Sequence, residues 1–79
     1  MKIAVQLFGP LAEQAGASRI EVTVTGSTVR DVAAAAAAAA PALKIDRSVR
    51  FAVNTDYAEP SATVREGDVV SLIPPVGGG

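Results

Sequence analysis

From Lys2 to Phe8 the chain alternates, with Ile3, Val5 and Leu7 on one side and Ala4, Gln6 and Phe8 on the other. A period of two over β-branched residues predicts a strand. Gly9-Pro10 ends it. Leu11 to Ala15 predicts a short helix with proline before it and Gly16 closing it. Arg19 to Thr25 alternates again, placing Ile20, Val22 and Val24 on one face of a half-exposed second strand that Gly26 stops. Thr28 then caps a longer helix, with Asp31 three residues on as in a capping box. That helix runs to Ala40, because Pro41 forbids continuation. Its buried stripe is Val29, Val32 and Ala36, at spacings of three and four. Val49 to Asn54 predicts a third strand with Phe51 and Val53 inward. A turn follows at residues 54–56, then a brief strand around Tyr57. Glu66-Gly67-Asp68 is a further turn. Val69 to Ile73 is the last strand, with Val70 and Leu72 facing opposite to Val69, Ser71 and Ile73. Pro74-Pro75 ends pairing, since proline donates nothing to a ladder.

Strand, short helix, strand, helix, strand, turn, strand implies an α+β fold in which one main helix covers one face of a sheet of four to five strands. The other face is left wet or available to a partner. Residues 1–73 are expected to form one domain and residues 74–79 a flexible tail. A chain of 79 residues, 49% hydrophobic but only 4% aromatic, can build one core of small and β-branched groups. The eight alanines of Ala33–Ala40 read as helix propensity and carry no chemistry.

Charge and residue types exclude more than they suggest. Net charge is −1, and the Lys and Arg residues form no basic stripe of the kind nucleic acid requires. No segment approaches the ~20 apolar residues of a membrane span, so the expected location is the cytoplasm. Histidine and cysteine are both absent, which removes imidazole bases, thiol nucleophiles and the usual zinc ligands together. Glu13, Glu59, Glu66 and Asp68 lack such neighbours and read as surface and turn chemistry. No nucleophile–base pair can be assembled, so self-sufficient catalysis is not expected, nor is a metal site.

The remaining chemistry is at the end. Gly77-Gly78-Gly79 packs nothing and resists ordering, so it is either an untidy terminus or a thread shaped for a slot too narrow for side chains. The thread presents the Gly79 carboxylate, ionised at neutral pH with a pKa of about 3.5. Such a carboxylate becomes an electrophile only after activation, for example as a mixed anhydride with AMP. The chain has no phosphate-binding loop, so a partner must supply that step. From Pro74 to Gly79 the tail reaches at most ~20 Å. Pro74 and Pro75 stiffen its base and aim it away from the sheet. By strand parity Phe8 and Ile73 face away from the helix side, with Tyr57 near them. Such a cluster is either a protein contact or, for Phe8, part of the core.

Phe8-Gly9-Pro10-Leu11-Ala12-Glu13-Gln14-Ala15-Gly16, Ala52-Val53-Asn54, and Glu66 through Gly79 with Pro74-Pro75-Val76-Gly77-Gly78-Gly79 resemble the small sulfur-carrier subunit of molybdopterin synthase, the MoaD family. The resemblance implies a β-grasp, ubiquitin-like fold. It implies that an E1-like enzyme adenylates Gly79 with ATP and magnesium, which this chain does not itself bind, and that sulfur replaces AMP to give a thiocarboxylate. It implies a heterotetramer with the large, pterin-binding subunit, in which sulfur passes to a cyclic pterin precursor of the molybdenum cofactor. Gly78 and Gly79 carry over as the reactive end, and Phe8, Tyr57, Ile73, Pro75, Val76 and Gly77 as the partner contact. Ala12 stands where the family often has a basic residue, and Gly77 where serine, threonine or alanine is common. The competing readings are a sulfur carrier for thiamine or tungsten-cofactor synthesis, a ubiquitin-like modifier of protein lysines, and an interaction module with an inert tail. Thiamine carriers are usually shorter and lack the Pro-Pro-Val approach.

Overall fold

A computed structural model of the chain describes residues 1–75. Seven elements follow in order: β1 (Lys2–Leu7), α1 (Pro10–Ala15), β2 (Arg19–Thr23), α2 (Val29–Ala39), β3 (Arg50–Val53), β4 (Asp56–Ala58) and β5 (Val69–Ile73). They form a five-stranded mixed sheet in the order β2-β1-β5-β3-β4. The middle strand β5 runs parallel to its neighbour β1, with Val5 opposite Val70 and Leu7 opposite Leu72. β2 pairs antiparallel with β1, β3 with β5, and β4 with β3. This is the β-grasp, ubiquitin-like arrangement that the resemblance implied.

Because paired residues share a face, the registers sort every strand position. Ile3, Val5, Leu7, Val22, Val70 and Leu72 meet Val29, Val32 and Ala36 of α2 in one buried cluster. The stripe read from helical spacing is the stripe that α2 buries. No aromatic residue is fully buried in it, so the core rests on many small contacts. Phe51 and Val53 do face the core, opposite Leu72 and Val70. They are only partly buried, however, in a strand one place in from the sheet edge.

Local chemistry sets the ends of the helices. Gly16 closes α1 at φ 75 and ψ 15, the left-handed conformation that glycine enters without strain. At α2 the Thr28 side chain accepts from the Asp31 amide, and the Asp31 carboxylate accepts from the Thr28 amide, completing a reciprocal box. The segment after β4, for which periodicity gives no element, docks on this end. The Arg30 amide donates to the Pro60 carbonyl and the Val29 amide to the Ala62 carbonyl, both at 2.9 Å. Val64, beside that contact, and Leu43, after α2, add single buried side chains to the core.

Candidate functional site

β1 and β5 leave the sheet at the same end, since they are parallel and in register to Leu7 and Leu72. Phe8 therefore emerges beside Ile73, the last residue of β5. Both face away from α2, as parity requires, and Phe8 is 43% exposed. On the other flank of Ile73 stands Arg50 of β3. Tyr57 of β4 shares this face, paired through Ala52, and is 79% exposed. From β1 to β4 the three strand spacings make a strip about 14 Å wide. Ala52 and Ser71 lie within it and are nearly buried, their side chains being too short to rise past their neighbours. Lys2, Arg19, Glu21 and Arg50 share this face by register, so its apolar strip has a largely cationic border.

One groove joins part of this surface to the base of the tail. Tyr57, Ile73, Pro74 and Pro75 line it together with Arg47, Arg50 and Phe51. Phe8 is not among its walls and sits across Ile73 from it. Of the residues read as partner contacts, Tyr57, Ile73 and Pro75 thus share one groove, and Phe8 flanks it. Val76, Gly77, Gly78 and Gly79 lie outside the described residues. Arg47, Ser48 and Arg50 were not singled out as site residues from sequence. They reach the groove through strand pairing and the approach to β3, which no local motif announces.

Of the groove's two acidic wall residues, Asp46 and Glu59, the first is already engaged. The Asp46 carboxylate accepts from the Ser48 hydroxyl and backbone amide, and both hold its carboxyl below the ordinary value. Asp68 does turn chemistry, as expected, while Glu66 ties its turn to the start of β1. The Glu66 carboxylate accepts from the Lys2 amide at 3.0 and 3.1 Å. Asp68 accepts from the Arg65 amide and the Asn54 side-chain amide. Among the described residues no group of three or more His, Cys, Asp or Glu is placed to hold a metal ion. No helix of these residues is long and apolar enough to cross a membrane.

An exposed apolar strip at one end of the sheet is the kind of surface that recognises a protein. Solved structures share this architecture. Small archaeal modifier protein 1 of Haloferax volcanii is 30% identical, with a TM-score of 0.88 and 100% of each chain covered. Subunit 1 of a molybdopterin converting factor from Pyrococcus furiosus is 28% identical at a TM-score of 0.81, covering 95% of this chain and 98% of that one. In a complex of subunits 1 and 2 of the molybdopterin-converting factor of Helicobacter pylori, the matched chain is 26% identical at a TM-score of 0.71, with 100% of each covered. The sequence model of the ThiS family matches residues 5–79, through the terminal glycine. The chain belongs to the ThiS family, the ubiquitin-like sulfur carriers that include ThiS and MoaD.

Proposed function

We propose that this chain is the sulfur-carrier subunit of a molybdopterin synthase, with Gly79 as its working end. The observation that carries the reading is the family match through Gly79, joined to a tail that follows the central strand β5 through Pro74-Pro75. The likeness to two molybdopterin-converting subunits supports this pathway. In this mechanism an E1-like partner transfers AMP from ATP, with magnesium, to the Gly79 carboxylate and releases pyrophosphate. A sulfur nucleophile then attacks the acyl carbon and AMP leaves, giving the thiocarboxylate. The strip around Phe8, Ile73 and Tyr57 docks the carrier on each partner, first the activating enzyme and then the large, pterin-binding subunit. Glycine at 77–79 lets the end enter a narrow slot there, where sulfur passes to the cyclic pterin precursor.

The likeness to small archaeal modifier protein 1 favours a second reading, in which Gly79 forms amide bonds with protein lysines. Both readings use the same activated end and differ in the acceptor.

Intact-mass analysis of the chain from a host making the cofactor separates them. Replacing the terminal OH by SH adds about 16 Da, and conjugates on lysine side chains mark the modifier. Deleting Gly79 is expected to abolish sulfur transfer while the thermal unfolding midpoint stays unchanged. Substantial transfer by the shortened chain would rule out the carrier mechanism.

A further inference from the structure

The face of the sheet away from α2 differs in charge from the rest of the molecule. By register it carries Lys2, Arg19 and Arg50 against Glu21, all of them exposed. The whole chain has 7 Lys and Arg against 8 Asp and Glu, so the remainder holds four cations against seven acids. The cations are also unevenly placed on the face. Arg19 pairs with Gln6 on one flank of the sheet, and Arg50 pairs with Ile73 on the other. They stand three strand spacings apart, about 14 Å, on either side of Phe8 and Ile73. Lys2 lies at the opposite end of β1, where the Glu66 carboxylate meets its amide. Arg47 joins Arg50 along the groove, while Asp46 turns its carboxylate to Ser48 and Glu59 follows β4. Between the two flanks the surface is low, because Ser71 and Ala52 are only 7% and 8% exposed. The face thus offers an apolar dip with a guanidinium on each side.

We infer that this face selects partner proteins that set an apolar side chain over Ala52 and Ser71 and carboxylates on both sides of it, with Arg19 and Arg50 as the specificity-determining residues. The inference rests on the carrier reading and adds to it the charge of the surface that a partner presents. Exposed charges at the rim of an interface steer the encounter and reject surfaces of like sign more than they add affinity. Glu21 works against this selection, being on the same face as Arg19 and two residues from it. The apolar centre suits a protein and has no counterpart on a phosphate backbone.

The test measures KM for the full-length carrier in adenylation by the activating enzyme, at low and high salt. At low salt Arg19→Glu and Arg50→Glu are each expected to raise KM about tenfold, with kcat within about twofold. The gap should close to less than about threefold near 1 M salt, where charges are screened beyond ~3 Å. Arg30→Glu makes the same change in net charge on exposed α2 surface and should leave KM within about twofold. Glu21→Gln should lower KM, a gain that misfolding cannot imitate. An unchanged KM in both arginine variants overturns the inference, as does an equal rise in Arg30→Glu or a rise in Glu21→Gln. If the parent is never adenylated, the carrier reading fails, and a peptide titration of the parent still decides the surface. A pentapeptide with leucine between two pairs of aspartates, at millimolar concentration, should move the Ala52 and Ser71 amide resonances, and its counterpart with lysines should not. Equal shifts from the two peptides, or none from either, overturn the inference.

Discussion

At the scale of single residues, one carboxylate oxygen organises the start of α2. Asp31 Oδ2 accepts from the Ser27 amide at 3.0 Å, the Thr28 amide at 3.1 Å and the Thr28 hydroxyl at 2.9 Å. These bonds, those to Thr28 foremost, hold the Asp31 carboxyl below its ordinary value of 3.8. A depressed folded-state pKa adds stability that is present above the unfolded value and is lost as pH falls through the folded one. Stability should therefore drop in acid below pH 3.8, and a urea titration across that range measures it. Gly26 makes room for this arrangement, since a Cβ there would overlap the Asp31 carboxylate. Gly26→Ala is expected to lower the urea midpoint at neutral pH. The deficit should shrink in acid, where the parent has lost the same bonds. A deficit independent of pH would mean that the methyl group acts elsewhere. The capping pair was legible in the sequence because its partners are three residues apart. The need for glycine at residue 26 was not, because the clash depends on where the folded carboxylate comes to rest.

At the scale of elements, α2 separates residues that composition cannot. Its alanines are chemically identical, yet Ala36 is fully buried against the sheet while Ala38 is exposed. Ala36→Leu should destabilise the fold by about 1–3 kcal/mol through overpacking. Ala38→Glu, on the solvent face, should stay within about 0.5 kcal/mol of the parent. Denaturant midpoints of the two variants check the contrast, and equal effects would place the helix in a different rotation. Spacing alone identified Ala36, because a helix repeats its faces locally. The docking of residues 60–64 on α2 had no such signal. Its backbone bonds, such as Val64 amide to Ser27 carbonyl at 2.8 Å, join distant stretches of chain. Side-chain pattern does not specify which backbone groups will meet across that separation.

At the scale of the whole molecule, a small core leaves little reserve. Leu72 of β5 is fully buried between β1 and β3. Leu72→Ala should cost about 2–5 kcal/mol, a large share of the roughly 5–15 kcal/mol that holds a typical domain together. Thermal unfolding would show it, and a shift of only a degree or two would mean that the central strands carry less of the stability than their burial implies. The same strands carry the proposed site, since Phe8 follows β1 and Ile73 ends β5. Leu72→Ala should therefore weaken partner binding and stability together, whereas changes at exposed Tyr57 should affect binding alone.

The sequence by itself determined the element order, the faces of β1, β2, α2 and β5, the capping pair and the chemistry available at Gly79. All of these rest on short-range periodicity, backbone preference or the identity of side chains, which a linear reading preserves. Only the tertiary structure decided that β1 and β5 pair in parallel, that Phe8 and Ile73 emerge side by side, and that Arg47 and Arg50 join Tyr57 in one groove. Each of these joins residues far apart in the chain. Their proximity follows from strand order and register, which are set by the cooperative packing of the entire core and by no local stretch of it.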